Sequence, residues 1–207
     1  MPIFFFNRLQ TTINSLFLRD KNNGALLKEV DIESWYEQYV DELFAYGMAF
    51  CMNRETVLDA IQDVFLHLYE IEKRLDMPAN VRAYLLGALK NRLISVMRKE
   101  VLFENLNEAG DSVFHIKVDA QALIEDVEEC KYYEKQVEAL LNLLTDKQRE
   151  VIYLYYMQGL NYEEIASILK ITPKSVRKIA YRAILRMQQS KNISFHLLLF
   201  FLMMPKG

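Results

Sequence analysis

A chain of 207 residues with 52% hydrophobic content can bury one or two real cores, which excludes global disorder. Its net charge of -3 excludes a uniformly basic coat, so any nucleic-acid site has to be local. Six Gly and four Pro leave few breaks for hairpins, and the apolar spacing is helical in nearly every long segment, which predicts an all-α protein.

The first 31 residues form an N-terminal extension. It opens on MPIFFFNRLQ, which lacks the basic leader and small-residue cleavage site of a signal peptide, so a cytoplasmic protein is expected. Residues 32–100 make a first helical domain. Trp35, Tyr39, Leu43, Tyr46 and Phe50 follow one helical stripe, and Val57, Ile61, Phe65 and Leu68 follow another. The second stripe leaves Asp59, Gln62 and Asp63 together on the opposite side of its helix, where they can dock a partner. Exposed acids on a helix ordinarily serve only solubility, so this face does not establish a docking site alone. Met77 to Asn80 interrupts the pattern, and a last helix begins near Val81. Up to Lys99 that helix carries Arg82, Lys90, Arg92, Arg98 and Lys99 without an acid, together with Tyr84 and Asn91, a mixture suited to phosphate contact and to stacking on unpaired bases. These bases do not share one clean face, and ordinary solvation accounts for them equally well.

Residues 101–130 read as an acidic linker, extended in its first half: from 104 to 129 there are eight Asp and Glu against the single base Lys117. A second domain spans 131–190. Thr145 with Gln148 has the pattern of a capping box, Asn161 with Glu164 resembles one, and Thr172 precedes Pro173 at a first helical position. Each cap begins a helix, and only the last two helices are close enough to be joined by a tight turn. This is a DNA-reading helix-turn-helix. Its last helix buries Val176, Ala180, Ala183 and Met187 and turns Lys174, Ser175, Arg177, Lys178, Tyr181 and Arg182 outward. From Lys170 to Lys191 there are seven basic residues and no acid, the local charge that phosphate neutralisation requires.

The tail, 191–207, contains Ile193 to Met204, ISFHLLLFFLMM, which as a helix spans only about 18 Å against a hydrocarbon core of about 30 Å. It is too short to cross a bilayer alone. Cys51 and Cys130 stand apart, as do His67, His115 and His196, so neither a disulfide framework nor a zinc site is supported. No Ser/His/Asp set and no phosphate-cradling Gly loop is present, and Glu163-Glu164 read as capping and surface charge. Neither an enzyme nor a cofactor or metal is expected, and no small-molecule substrate.

The order of DAIQDVFLHLYE and NVRAYLLGALKNRLISVMRKE, an acidic linker, and then LTDKQREVIYLYYMQGLNYEEIASILKITPKSVRKIAYRAILRM resembles the extracytoplasmic-function group of bacterial sigma-70 factors, especially Bacteroidetes-like members. The resemblance covers roughly residues 32–188. Its most specific parts are Asp59 to Phe65, Gly159 to Ala166 and Ser175 to Ala183. It implies that the first domain is sigma region 2, with Asp59, Gln62 and Asp63 on the clamp helices of the polymerase β′ subunit. The loop from Asp76 to Asn80 and the following helix, with Asn80, Tyr84, Lys90, Asn91 and Arg98, would then open and read the -10 element. The second domain would be region 4, its recognition helix in the -35 major groove and the polymerase β flap among its partners. An anti-sigma factor is a further implied partner, and the acidic linker would thread basic polymerase channels. Two departures stand out. Lys170 occupies a turn position usually held by Gly, which demands left-handed or altered backbone from a residue with a Cβ, and the apolar tail has no counterpart.

The physics of promoter opening agrees with such a protein, because a base leaving the duplex loses stacking that only capture of the unpaired base can replace. Two other readings compete. A dimeric helix-turn-helix regulator that is not a polymerase subunit would need a ligand pocket or dimer seam in the first domain. A membrane-peripheral protein would need more basic residues around the tail than Lys191 and Lys206.

Overall fold

The computed structural model describes residues 32–72, 78–104, 114–116 and 127–189. Among them are seven α-helices, one π-helical turn and no strand: α1 Ile32–Phe50, α2 Arg54–Glu72, α3 Val81–Glu104, α4 Val127–Asn142, α5 Asp146–Ile152, the π-turn Tyr153–Met157, α6 Tyr162–Leu169 and α7 Pro173–Gln188. The N-terminal extension, Asp76, most of the acidic linker and the apolar tail lie outside the described residues. None of the described helices is long and apolar enough to cross a membrane.

The two stripes of the first block point inward. Leu43, Tyr46 and Phe50 of α1 and Val57, Ile61, Phe65 and Leu68 of α2 are buried, with Trp35 and Tyr39 half-buried at the margin. A Cβ on Gly47 would lie 2.6 Å from Val57 Cγ1, so glycine sets how closely α1 and α2 approach. Asn53 Oδ1 accepts from the Glu55 and Thr56 amides to start α2, and Asn80 Oδ1 accepts from the Ala83 amide to start α3. The third helix buries Leu85, Leu86, Leu89 and Leu93. It continues to Glu104, and α4 begins at Val127, both within the segment read as linker. Residues 101–104, VLFE, hold no Gly or Pro that would stop a helix.

In the second block the three caps form as the sequence predicts. Thr145 and Gln148, and likewise Asn161 and Glu164, make reciprocal capping boxes, and Thr172 Oγ1 accepts from the Ser175 amide with Pro173 in the first turn. Val176, Ala180, Ala183 and Met187 are buried. Lys170 adopts φ 52°, ψ 46°, the left-handed conformation its place in the tight turn demands, and its amide reaches the Ala166 and Ser167 carbonyls. The sequence gives no sign of the π-turn. Its wider winding is fixed by the Gln158 amide donating to the Tyr153 carbonyl five residues back, at 3.1 Å.

The two blocks do not stand apart on a tether. One hydrophobic cluster runs from α1 through α2 and α3 into the π-turn, α6 and the start of α7, because Leu154, Ile165 and Ile168 turn toward the first block. A smaller cluster of Val137, Leu140, Leu141, Leu144, Ile152, Ala183 and Met187 ties α4 to α5 and α7. Within the larger cluster sits one residue of the connecting segment. Phe114 is 1% exposed, with its ring 4.8 Å from Phe50, 6.1 Å from Tyr46 and 5.5 Å from Tyr153, and the neighbouring His115 amide donates to the Ala49 carbonyl at 2.7 Å.

Candidate nucleic-acid interface

The capped start of α7 and its buried stripe leave the opposite face to water. Lys174, Arg177, Lys178, Tyr181 and Arg182 are exposed there, Tyr181 at 62%. Ser175 is half-buried, because its amide and hydroxyl both engage Thr172 Oγ1. The Arg177 guanidinium lies 5.5 Å over the Tyr162 ring, which stacks on Tyr155 with centroids 4.9 Å apart. Burial and the neighbouring Tyr155 raise the Tyr162 phenol, and Arg177 works against them. An aromatic shelf therefore carries one cation of a face that holds bases and no acid.

Asp59, Gln62 and Asp63 lie together on the outward side of α2, Asp59 and Asp63 exposed and Gln62 half-buried. Asp63 is not free: Arg92 of α3 meets it at 2.6 Å. Both side chains remain nearly half exposed, so the pair is a weak one.

The candidate residues of α3 divide in two. Asn91 and Arg98 are exposed and Tyr84 is half-buried, with burial raising its phenol. Asn80 and Lys90 are turned to the second block. Asn80 Nδ2 donates to Glu164 Oε1 at 2.8 Å. Lys90 Nζ lies 2.7 Å from both carboxylate oxygens of Glu150 and 5.6 Å from the Phe50 ring, with 17% of the Lys90 side chain and 6% of the Glu150 side chain exposed. Tyr46, fully buried, donates its hydroxyl to Glu150 Oε1 at 2.6 Å. Burial first, and then Glu150, hold that phenol well above its ordinary range, so Tyr46 remains a donor. Arg82 completes the junction, bridging Glu42 at 2.8 Å and donating to the Gln158 carbonyl at 2.6 Å.

Sequence reasoning missed Glu150, Tyr46 and Phe114 as junction residues. Glu150 and Tyr46 have one available signal, a polar group on an otherwise apolar helical stripe. Glu164 was assigned to its cap, which it does form, and its second oxygen serves the junction.

Residues 35–101 match the Sigma-70 region 2 family and residues 134–187 the Sigma-70 region 4 family. The chain is 22% identical over 162 residues to the ECF RNA polymerase sigma factor SigM of Bacillus subtilis (strain 168), covering 78% of this chain and 95% of that one. Among solved structures it is similar in fold to the sigma factor RpoE crystallised in complex with the anti-sigma factor NepR from Bartonella quintana, with a TM-score of 0.54, 23% identity, and coverage of 77% of this chain and 95% of that one.

Proposed function

Because the chain belongs to the extracytoplasmic-function group of the sigma-70 family and holds both region 2 and region 4, it is a sigma factor of transcription initiation, and we propose which of its residues do that work. The recognition helix α7 enters the -35 major groove with Lys174, Ser175, Arg177, Lys178, Tyr181 and Arg182. Asn80, Tyr84, Lys90, Asn91 and Arg98 handle the -10 element. Asp59, Gln62 and Asp63 dock on the β′ clamp helices of core RNA polymerase, and the second domain meets the β flap. The observation that carries this reading is α7 itself, a capped helix whose buried stripe is complete and whose outward face is cationic and free of acids. Capture of DNA and polymerase needs no catalytic group, so the protein acts as a cytoplasmic binding subunit and not as an enzyme. An anti-sigma factor is a fitting regulator, since the structurally similar RpoE was crystallised with one. The subgroup resembled most is the Bacteroidetes-like one.

The test is transcription from genomic promoter fragments with purified core polymerase of the same bacterium. Adding the protein should create start sites that share a -35 and -10 pair, and charge reversal at Asp59 and Asp63 should abolish them together with core binding, leaving the helical content unchanged. No added start sites with matched polymerase would refute the reading. Normal core binding by the double variant would place the docking face elsewhere.

A further inference from the structure

The outward bases of α7 are not held alike. Lys174, Lys178 and Arg182 are exposed with no ring beside them among the described residues, whereas Arg177 lies 5.5 Å over the Tyr162 ring. Arg82, Arg92 and Arg149 each meet a carboxylate, and among the described residues Arg177 meets none. The five N–H donors of a guanidinium lie in its plane, so a contact with the face of a ring spends none of them on an acceptor. Arg177 is therefore restrained in direction and unspent in hydrogen bonding.

Tyr162 is itself fixed. It is the first residue of α6, directed by the Asn161 capping box, and its half-buried ring stacks on Tyr155 of the π-turn with centroids 4.9 Å apart and planes 17° from parallel. Both rings pack on the larger hydrophobic cluster, and Tyr156 meets Tyr155 edge-on at 4.9 Å. The shelf is thus anchored in the core, and Arg177 is its outermost layer. Arg177 also stands in the N-terminal half of α7, Pro173–Gln188, the part of a recognition helix that meets base edges. There the planar fork of a guanidinium fits O6 and N7 of guanine, two acceptors side by side in the major groove.

Resting on the sigma-factor reading above, we propose that Arg177 reads a guanine of the -35 element and that Tyr162, backed by Tyr155, is the positioning residue that aims it. Ordering so long a side chain on binding ordinarily costs roughly two- to tenfold in affinity. The shelf does that ordering in the free protein.

Holoenzyme assembled with core polymerase of the same bacterium, bound to a promoter and to versions of it with each -35 base pair replaced in turn, tests this. Wild type should lose about five- to a hundredfold in affinity when one G·C pair is replaced, and Arg177→Ala should lose that preference at that pair. Tyr162→Leu should weaken promoter binding roughly two- to tenfold and blunt the same preference, and Tyr162→Phe, which keeps the ring, should restore both. In an Arg177→Ala background Tyr162→Leu should add less than about twofold, whereas a merely structural Tyr162 would cost the same in either background. Equal losses in both backgrounds, or an Arg177→Ala loss spread evenly over all sequences with a lower salt slope, overturns the proposal. If wild-type holoenzyme directs no promoter-dependent start, the sigma-factor reading itself falls and takes the proposal with it. A second measurement leaves Tyr162 in place. Burial and Tyr155 raise the Tyr162 phenol while Arg177 lowers it, so replacing the exposed Arg177 by Ala should raise it further, read by NMR of labelled tyrosine in the free chain. An unmoved Tyr162 titration overturns the proposal.

Discussion

Replacing Phe114 by Ala removes a ring enclosed by Tyr46 and Phe50 of the first block and Tyr153 of the second. A buried Phe→Ala change costs about 3 to 5 kcal/mol when the surroundings cannot collapse. Here the cost has a ceiling, because Phe114 belongs to the connecting segment and that segment can undock once its anchor is gone, so the loss cannot exceed the free energy that holds 114–116 in place. At about 2 to 4 °C per kcal/mol for a chain of this size, the melting temperature should drop by roughly 6 to 20 °C if the domains unfold together. Phe114→Leu, which keeps most of the apolar volume, should lose less than half as much. Circular dichroism measures the melting, and hydrogen exchange measures the docking directly, since the His115 amide is protected only while it donates to the Ala49 carbonyl. Wild-type exchange at His115 in the Ala variant, with less than about 1 kcal/mol lost, would refute the claim that Phe114 helps hold the two blocks together.

Arg177→Ala and Arg182→Ala should each weaken -35 binding, by about 1 to 3 kcal/mol for a base contact or with a salt slope lower by about 1 for a phosphate contact, and unchanged affinity and slope in both would remove α7 from the groove. Burial above all pushes the Tyr153 phenol from 10.0 up to about 12, with the Gln158 hydrogen bond opposing. Its stabilising effect is therefore complete below pH 10, where both states are protonated, and is lost as pH rises from about 10 to 12 while only the unfolded chain ionises, on the order of 3 kcal/mol in all. Urea titrations between pH 9 and 12 should show that fall, and Tyr153→Phe should flatten it. Lys170→Gly should raise stability by about 0.5 to 1 kcal/mol, since glycine accepts φ 52° freely while gaining some entropy unfolded, and a lower melting temperature would contradict the strain assigned to that turn.

The parts of the fold that were legible in the sequence are those set by local chemistry. Thr145, Asn161 and Thr172 announce their helices because capping is settled within four residues, and Val176, Ala180, Ala183 and Met187 announce a buried stripe because periodicity is a property of one helix. At Lys170 it is the family resemblance that implies left-handed or altered backbone, and φ 52° is the left-handed outcome. The junction was not legible, because it depends on pairs far apart in the chain. Tyr46 and Glu150 are separated by 104 positions, and Asn80 and Glu164 by 84. Lys90 reads in sequence as a solvated base available to DNA, and only the approach of α5 to α3 shows that its charge is spent on Glu150. Periodicity likewise reveals that Ile165 and Ile168 are buried but not against which helix.

The π-turn sets an angular phase for the second domain. Glu150 lies before it and Glu164 after it, yet the first meets Lys90 of α3 and the second Asn80, the residue that caps that same helix. A π-turn is an α-helix with one residue to spare, and each residue rotates the following chain by about 100°. Removing one residue between Tyr153 and Met157 would leave both capping boxes and the whole helix-turn-helix intact while swinging them round the α5 axis. Glu150 could then keep Lys90 only if Glu164 left Asn80. A single inserted residue in a short helix thus acts as an indexing tooth, fixing the direction in which the reading head faces relative to the domain that binds it.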